Sequence, residues 1–136
     1  MRANKALLFL SLLSVILFAF SADDAPKKLT LIVFQGSDWC PNCIRFDEHI
    51  LQDDAFKTYL KKHKIEIALV DFPQKIKLSK QQQAKNDSIA DRYQFDGSFP
   101  TILIARNDTL IYKELQYSNQ TTAQMISQLK QKTHSL

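Results

Sequence analysis

Apolar residues run almost unbroken from position 6 to position 20, and beyond them the chain settles into short apolar stretches separated by polar ones. Arg2 and Lys5 precede the first run, Ser11 and Ser14 interrupt it, and Ala19-Phe20-Ser21 closes it. A charged start, a short apolar middle and a small-residue finish are the features of a secretory signal. Its fifteen positions fall short of the ~20 a helix needs to cross a bilayer. Residues 1–21 are therefore expected to be removed by cleavage after Ser21, with an uncleaved anchor made of residues 6–20 as the alternative.

Residues 22–28 are polar, contain Pro26 and read as a loose leader. Leu29-Thr30-Leu31-Ile32-Val33-Phe34 has the length and β-branched content of a strand buried on both faces. Gly36 to Trp39 break it. Pro41, tolerated in a helix's first turn, then starts a helix over about 40–51 that places Cys43, Phe46 and Ile50 on one face. Asp53 or Asp54 caps a second helical segment reaching Lys62. Residues 65–72 read as the next strand: 65–70 start with alternation and turn wholly apolar, as a central strand does, and Pro73 ends it. Ser79 and Gln82 resemble a capping box that opens a polar helix with Ala84, Ile89, Ala90 and Tyr93 as its apolar contacts. After Gly97, residues 102–105 and 110–112 flank an Asn107-Asp108 turn, which is a hairpin pattern. Thr121 with Gln124 caps a last helix carrying Met125, Ile126 and Leu129. The order β-α-α-β-α-β-β-α predicts one three-layer α/β domain over residues 29–136.

Composition narrows the function. With 136 residues, 45% hydrophobic, two Gly and four Pro, the chain is neither fibrous nor low-complexity. Loss of Arg2 and Lys5 with the signal takes the net charge from +4 to +2. The remaining lysines are scattered pairs and triplets with no basic stripe interleaved with aromatics, which excludes nucleic acid as a partner. A monomer is the default expectation.

Cys40 and Cys43 are the chain's two cysteines. In an exported protein a disulfide between them persists, yet so short a loop constrains the unfolded chain little, and a purely structural staple would waste the pair. Chemistry is the better use. Cys40 falls at the expected helix N-terminus, where free N–H groups and the dipole favour a thiolate, and Cys43 lies one turn behind it. Cys40 could then attack a disulfide and Cys43 release it, with no organic cofactor.

Trp39-Cys40-Pro41-Asn42-Cys43 after a buried strand, together with Phe99-Pro100-Thr101 before a late hairpin, resembles the thioredoxin superfamily, and the likeness extends over residues 29–133. It is nearest to exported bacterial thioredoxin-like proteins. The resemblance implies an α/β, thioredoxin-like three-layer sandwich with a central mixed β-sheet flanked by helices. It also implies Cys40 as nucleophile, Cys43 as resolving thiol, a cis Phe99-Pro100 bond, and substrate contacts from Trp39, Pro41, Phe99 and Pro100. The partners implied are exported proteins with cysteines or disulfides, and a membrane redox partner that resets the pair in the periplasm or outside the cell. Two positions depart from the family. Phe34 stands where thioredoxins bury an Asp, and residues 65–70 lack the family's Lys; Glu66 and Asp38 are candidate substitutes, with a surface carboxylate the plainer reading of each. The lack of a large helical insertion and of an appended dimerisation domain tilts the direction towards reductase or isomerase.

Two other classes compete. The same thiols suit Cu(I) or Zn with help from His49 or His63, although neither histidine has a metal-ligand spacing, so no metal site is expected. A redox-inert binding module of the same fold is the second, against which the retained cysteines, Trp39 and Pro100 argue. Ser37 lacks the Gly-x-Ser-x-Gly setting of a serine hydrolase.

Overall fold

The computed structural model describes residues 28–136, so the expected signal and most of the leader lie outside it. Strand β1 (Leu29–Gln35) leads through a tight turn into helix α1 (Pro41–Phe46), which continues as a π-helical turn, Asp47–Leu51. Helix α2 (Asp54–Lys62), strand β2 (Ile65–Asp71), helix α3 (Lys80–Arg92), the hairpin β3 (Thr101–Arg106) and β4 (Tyr112–Leu115), and helix α4 (Thr122–His134) follow. The sheet order is β2-β1-β3-β4, with β1 parallel to β2 and antiparallel to β3, and β3 antiparallel to β4. The element order is the one the sequence pattern predicts, and the mixed sheet is the one the resemblance implies.

Alternation along β1 divides the interior in two. Leu31 and Val33 face one core with Phe46, Ile50, Phe56, Leu60, Ile102, Ile104, Met125 and Leu129. Ile32 and Phe34 face the other with Val70, Leu103, Ala105 and the α3 residues Ile89 and Ala90. Helices therefore cover both faces, and β1, paired on both sides, is the strand on which the cysteine turn stands.

Four expectations change. β2 is an edge strand among the described residues, with Ile67 42% and Leu69 49% exposed, because β1 takes the central place. A wholly apolar run does not by itself distinguish the two positions. The helix expected over 40–51 changes its winding after Phe46. Gln52 N–H donates to the Asp47 carbonyl at 2.9 Å, an i→i+5 bond, and this wider turn lets Phe46 and Leu51, five apart, both reach the core. On α3, Ala84 is exposed and Asn86 is buried instead, its Nδ2 donating to the Asp71 carbonyl at 2.6 Å. The hairpin's second strand is Tyr112–Leu115, and Leu110 and Ile111 lie exposed in the turn before it.

Thr121 and Gln124 form the expected reciprocal capping box on α4. On α3 only the first half of the box expected at Ser79 and Gln82 forms: Ser79 accepts from Gln82 N–H, while the Gln82 side chain donates to Asn86 at 2.8 Å. Asp53 caps α2 by accepting from Ala55 N–H at 2.7 Å, and Thr122 Oγ1 donates to its other oxygen at 3.0 Å, fastening α2 to α4. The Thr122 bond first, then the Ala55 N–H, hold this carboxyl below its ordinary value of 3.8. A folded-state pKa lower than the unfolded one gives stability that is present above the unfolded value and lost as pH falls through the folded one. Thermal midpoints should accordingly drop more steeply below pH 3.8 in the native protein than in Asp53→Asn, which carries no charge at any pH. Parallel curves for the two proteins would remove Asp53 from the acid response.

Candidate active site

The cysteine turn is built on close backbone approach. Gly36 follows β1, and both Trp39 N–H (3.3 Å) and Cys40 N–H (2.9 Å) donate to its carbonyl. A Cβ at Gly36 would fall inside the Trp39 indole, so only glycine lets that ring lie over the turn. Cys40 is the N-cap of α1, in an extended conformation, with Pro41 as the first helical residue. Its Sγ accepts from Cys43 N–H at 3.2 Å, and the two cysteines are joined as a disulfide with Cα atoms 5.2 Å apart. Cys43 is 1% exposed and Cys40 5%, so the second sulfur is the deeper one. Cys40 lines an open groove of about 530 Å³ with Trp39, Pro41, Asn42, Arg45, Gly97 and Phe99.

The far wall of the groove comes from the loop before β3. The Phe99-Pro100 peptide is cis, and Phe99 meets Trp39 edge to face with centroids 5.3 Å apart. Phe95, at 5.1 Å, and Phe72, at 5.9 Å, back the Phe99 ring. The structure thus brings Trp39, Cys40, Pro41 and Phe99 to one groove, with Pro100 fixing the turn behind Phe99. It adds Arg45, whose guanidinium donates to Asn42 and, at 3.2 Å, to Asn119. The nearness of Arg45 to Asn119, 74 positions away, has no signal in the sequence.

Other candidates fall elsewhere. Phe34 is fully buried and stacked on Phe95 at 4.4 Å, so the position at which the resemblance leads one to expect an Asp is purely apolar. Glu66 pairs with Lys28 at the opposite end of β2 from the cysteine turn, with both side chains more than half exposed. Asp38 directs both carboxyl oxygens at the backbone of residues 74–76. Neither takes the place of the buried Asp that the resemblance leads one to expect. His63 packs on Tyr59 at 4.3 Å, His49 contributes its carbonyl to Thr122, and neither histidine lines the groove of the cysteines. Ser37 donates its hydroxyl to Asp71 and has no histidine partner there.

A family model for a thioredoxin-like domain matches residues 21–131. The disulfide bond reductase DsbH of Chlamydia pneumoniae is 38% identical over 76 residues, a match spanning 56% of this chain and 45% of that protein. The chain therefore corresponds to less than half the length of that relative. Among solved structures, a DsbH oxidoreductase superposes with a TM-score of 0.72 at 28% identity, covering 79% of this chain and 74% of its own. The oxidised C-terminal domain of Neisseria meningitidis DsbD shares the fold alone, with a TM-score of 0.55 at 16% identity over 97% of this chain and 98% of its own.

Proposed function

The chain belongs to the thioredoxin-like domain family, and from that premise we propose that it is an exported thiol-disulfide oxidoreductase working as a reductase on cysteines of other exported proteins. One observation supports this above the rest: the sulfur at the groove, Cys40, is the N-cap of α1 and accepts the Cys43 N–H. In the reduced protein the same N–H and the helix terminus favour negative charge on that sulfur, the state that attacks a disulfide.

The exchange runs in two displacements. The Cys40 thiolate attacks one sulfur of a substrate disulfide, forming a mixed disulfide, and the other substrate sulfur leaves as a thiolate that takes up a proton. Cys43, having lost its proton, then attacks the Cys40 sulfur, and the second substrate thiolate is expelled. Two electrons pass to the substrate, and the protein is left with the Cys40–Cys43 disulfide. Trp39 and Phe99 form the two walls against which the substrate chain lies, and Phe99 offers its backbone as an added strand partner, a mode that tolerates many sequences. A membrane dithiol partner returns the electrons.

The direction rests on the reductase activity named for the relative from Chlamydia pneumoniae. Mature residues 22–136, the export signal before them and a periplasmic location belong to the same proposal. The test is turnover of a disulfide-linked peptide with dithiothreitol as electron donor. A reductase cleaves it faster than dithiothreitol does alone; a protein of the same fold that only binds partners adds nothing to that background rate.

A further inference from the structure

Two carboxylates beside the cysteine turn have no part in the exchange. Asp38 Oδ1 accepts from Gln74 N–H at 2.9 Å, and its Oδ2 from Lys75 N–H at 2.8 Å and Ile76 N–H at 2.9 Å. Asp71, at the end of β2, accepts from Ser37 N–H at 2.8 Å and from the Ser37 hydroxyl at 2.6 Å. Residues 37–38 of one loop and 71–76 of the other are thereby laced together by charge-assisted bonds on both sides. Trp39 follows Asp38 in the chain, and its Nε1–H donates at 2.8 Å to the carbonyl of Phe72, the residue after Asp71. Phe72 N–H in turn donates to the Gln35 carbonyl at 2.8 Å, and buried Asn86 holds the Asp71 carbonyl from α3.

The convergence separates this network from ordinary loop stitching. Its bonds act on the residues just before Trp39 and on the segment that carries the carbonyl holding the indole. Without them the segment 72–76 is a mostly exposed loop, and Trp39 is a partly exposed ring on a turn, free to sample other rotamers. Bonds from an ionised carboxylate are roughly twice as strong as neutral ones. Burial pulls the Asp38 carboxyl upward, but the three N–H groups and the charge of Lys75 outweigh it and hold the group below its ordinary value.

We propose that Asp38 is a positioning residue for polypeptide substrates. Its carboxylate pins the backbone of residues 74–76 to the cysteine turn, keeps the Phe72 carbonyl on the Trp39 indole, and so holds that ring edge to face with Phe99 as one wall of the groove. Asp71 and Ser37 close the other side of the clamp. This rests on the exchange reading, since the wall matters only to a chain lying in the groove. A small disulfide, which touches little beyond the Cys40 sulfur, does not need it.

The experiment compares native protein with Asp38→Asn, checked for folding by circular dichroism. Trp39 is the chain's only tryptophan, so its fluorescence reports this ring alone. In the variant, KM for a disulfide-linked peptide should rise about tenfold while kcat stays within about twofold, the split expected when only binding is lost. The rate with glutathione disulfide should be unchanged, and quenching of Trp39 by acrylamide should increase. Thr30→Ala, at the opposite end of β1, should move neither KM nor quenching, which separates positioning from a general loss of stability. A folded Asp38→Asn with native KM and native quenching overturns the proposal. If that variant does not fold, Ser37→Ala, which deletes one hydroxyl, should shift both readouts in the same direction, and unchanged values overturn it equally. If native protein reduces no peptide, the exchange reading fails by itself and the quenching comparison still decides whether the carboxylate holds the ring.

Discussion

Cys40→Ser removes peptide-disulfide turnover, by at least about 10³-fold, while leaving the fold intact. A serine hydroxyl stays protonated near neutral pH and is a poor nucleophile towards sulfur, and no histidine lies in the groove to activate it. The change of one atom in a side chain 5% exposed disturbs little packing. Cys43→Ser fails differently. Its Cys40 still attacks, but nothing resolves the product, so the protein should accumulate as a mixed disulfide with the peptide, visible as an added mass that dithiothreitol removes. Cys43 is the more deeply buried sulfur, 1% exposed, so the reverse assignment, with Cys43 attacking, would require the substrate to reach behind Cys40. Equal loss of activity in both variants with no trapped adduct in Cys43→Ser would contradict the division of roles.

Phe34→Ala should have the largest effect on stability, about 3–5 kcal/mol. The ring is fully buried under β1, stacked on Phe95 at 4.4 Å, and packs with Val70, Leu103 and Ala105 in the smaller of the two cores. Ile89 and Ala90 of α3 and the Phe72, Tyr93 and Phe95 rings pack around that core, and loss of the Phe34 ring leaves a cavity that their relaxation fills only in part. Domains of this size have in total about 5–15 kcal/mol, and the variant should therefore melt far below the native protein in a circular dichroism scan. At temperatures where it remains folded, its exchange rate should stay within a few-fold of native. Phe34 has no titratable group, so the exchange proposed here does not run through a carboxylate at this position.

The elements that could be read in the sequence are those whose signal is local. The strand at Leu29–Gln35 announces itself by a β-branched run of the right length, α2 and α4 by Asp53 and Thr121 at their caps, and the cysteine turn by Gly36, Pro41 and the cysteine spacing. What could not be read depends on partners distant in sequence. The apolar run of β2 fits a central or an edge strand equally well, and only its neighbours decide. Asn86 sits in a helix with almost no apolar period, so its burial has no pattern to betray it; it goes inward because the Asp71 carbonyl needs a donor. Asp38 looks like a surface carboxylate or a proton carrier until the backbone of residues 74–76 is placed against it, 36 to 38 positions downstream. The groove was legible at Trp39, Cys40, Pro41 and Phe99, and hidden at Arg45 and in the Phe72 and Phe95 rings that support Phe99.

Reduced Cys40 and Cys43 should give up electrons reversibly as a disulfide forms between them. Equilibration of the protein with graded glutathione buffers, with free thiols counted by alkylation and mass, reads this out. A single two-electron transition between a fully reduced and a fully bridged form is expected, absent in either serine variant, with its midpoint nearer the ~−270 mV of a thioredoxin than the ~−120 mV of a strong oxidant. A midpoint at the oxidising end would contradict the reductase direction, and a pair that stays in one state at every poise would contradict disulfide exchange itself.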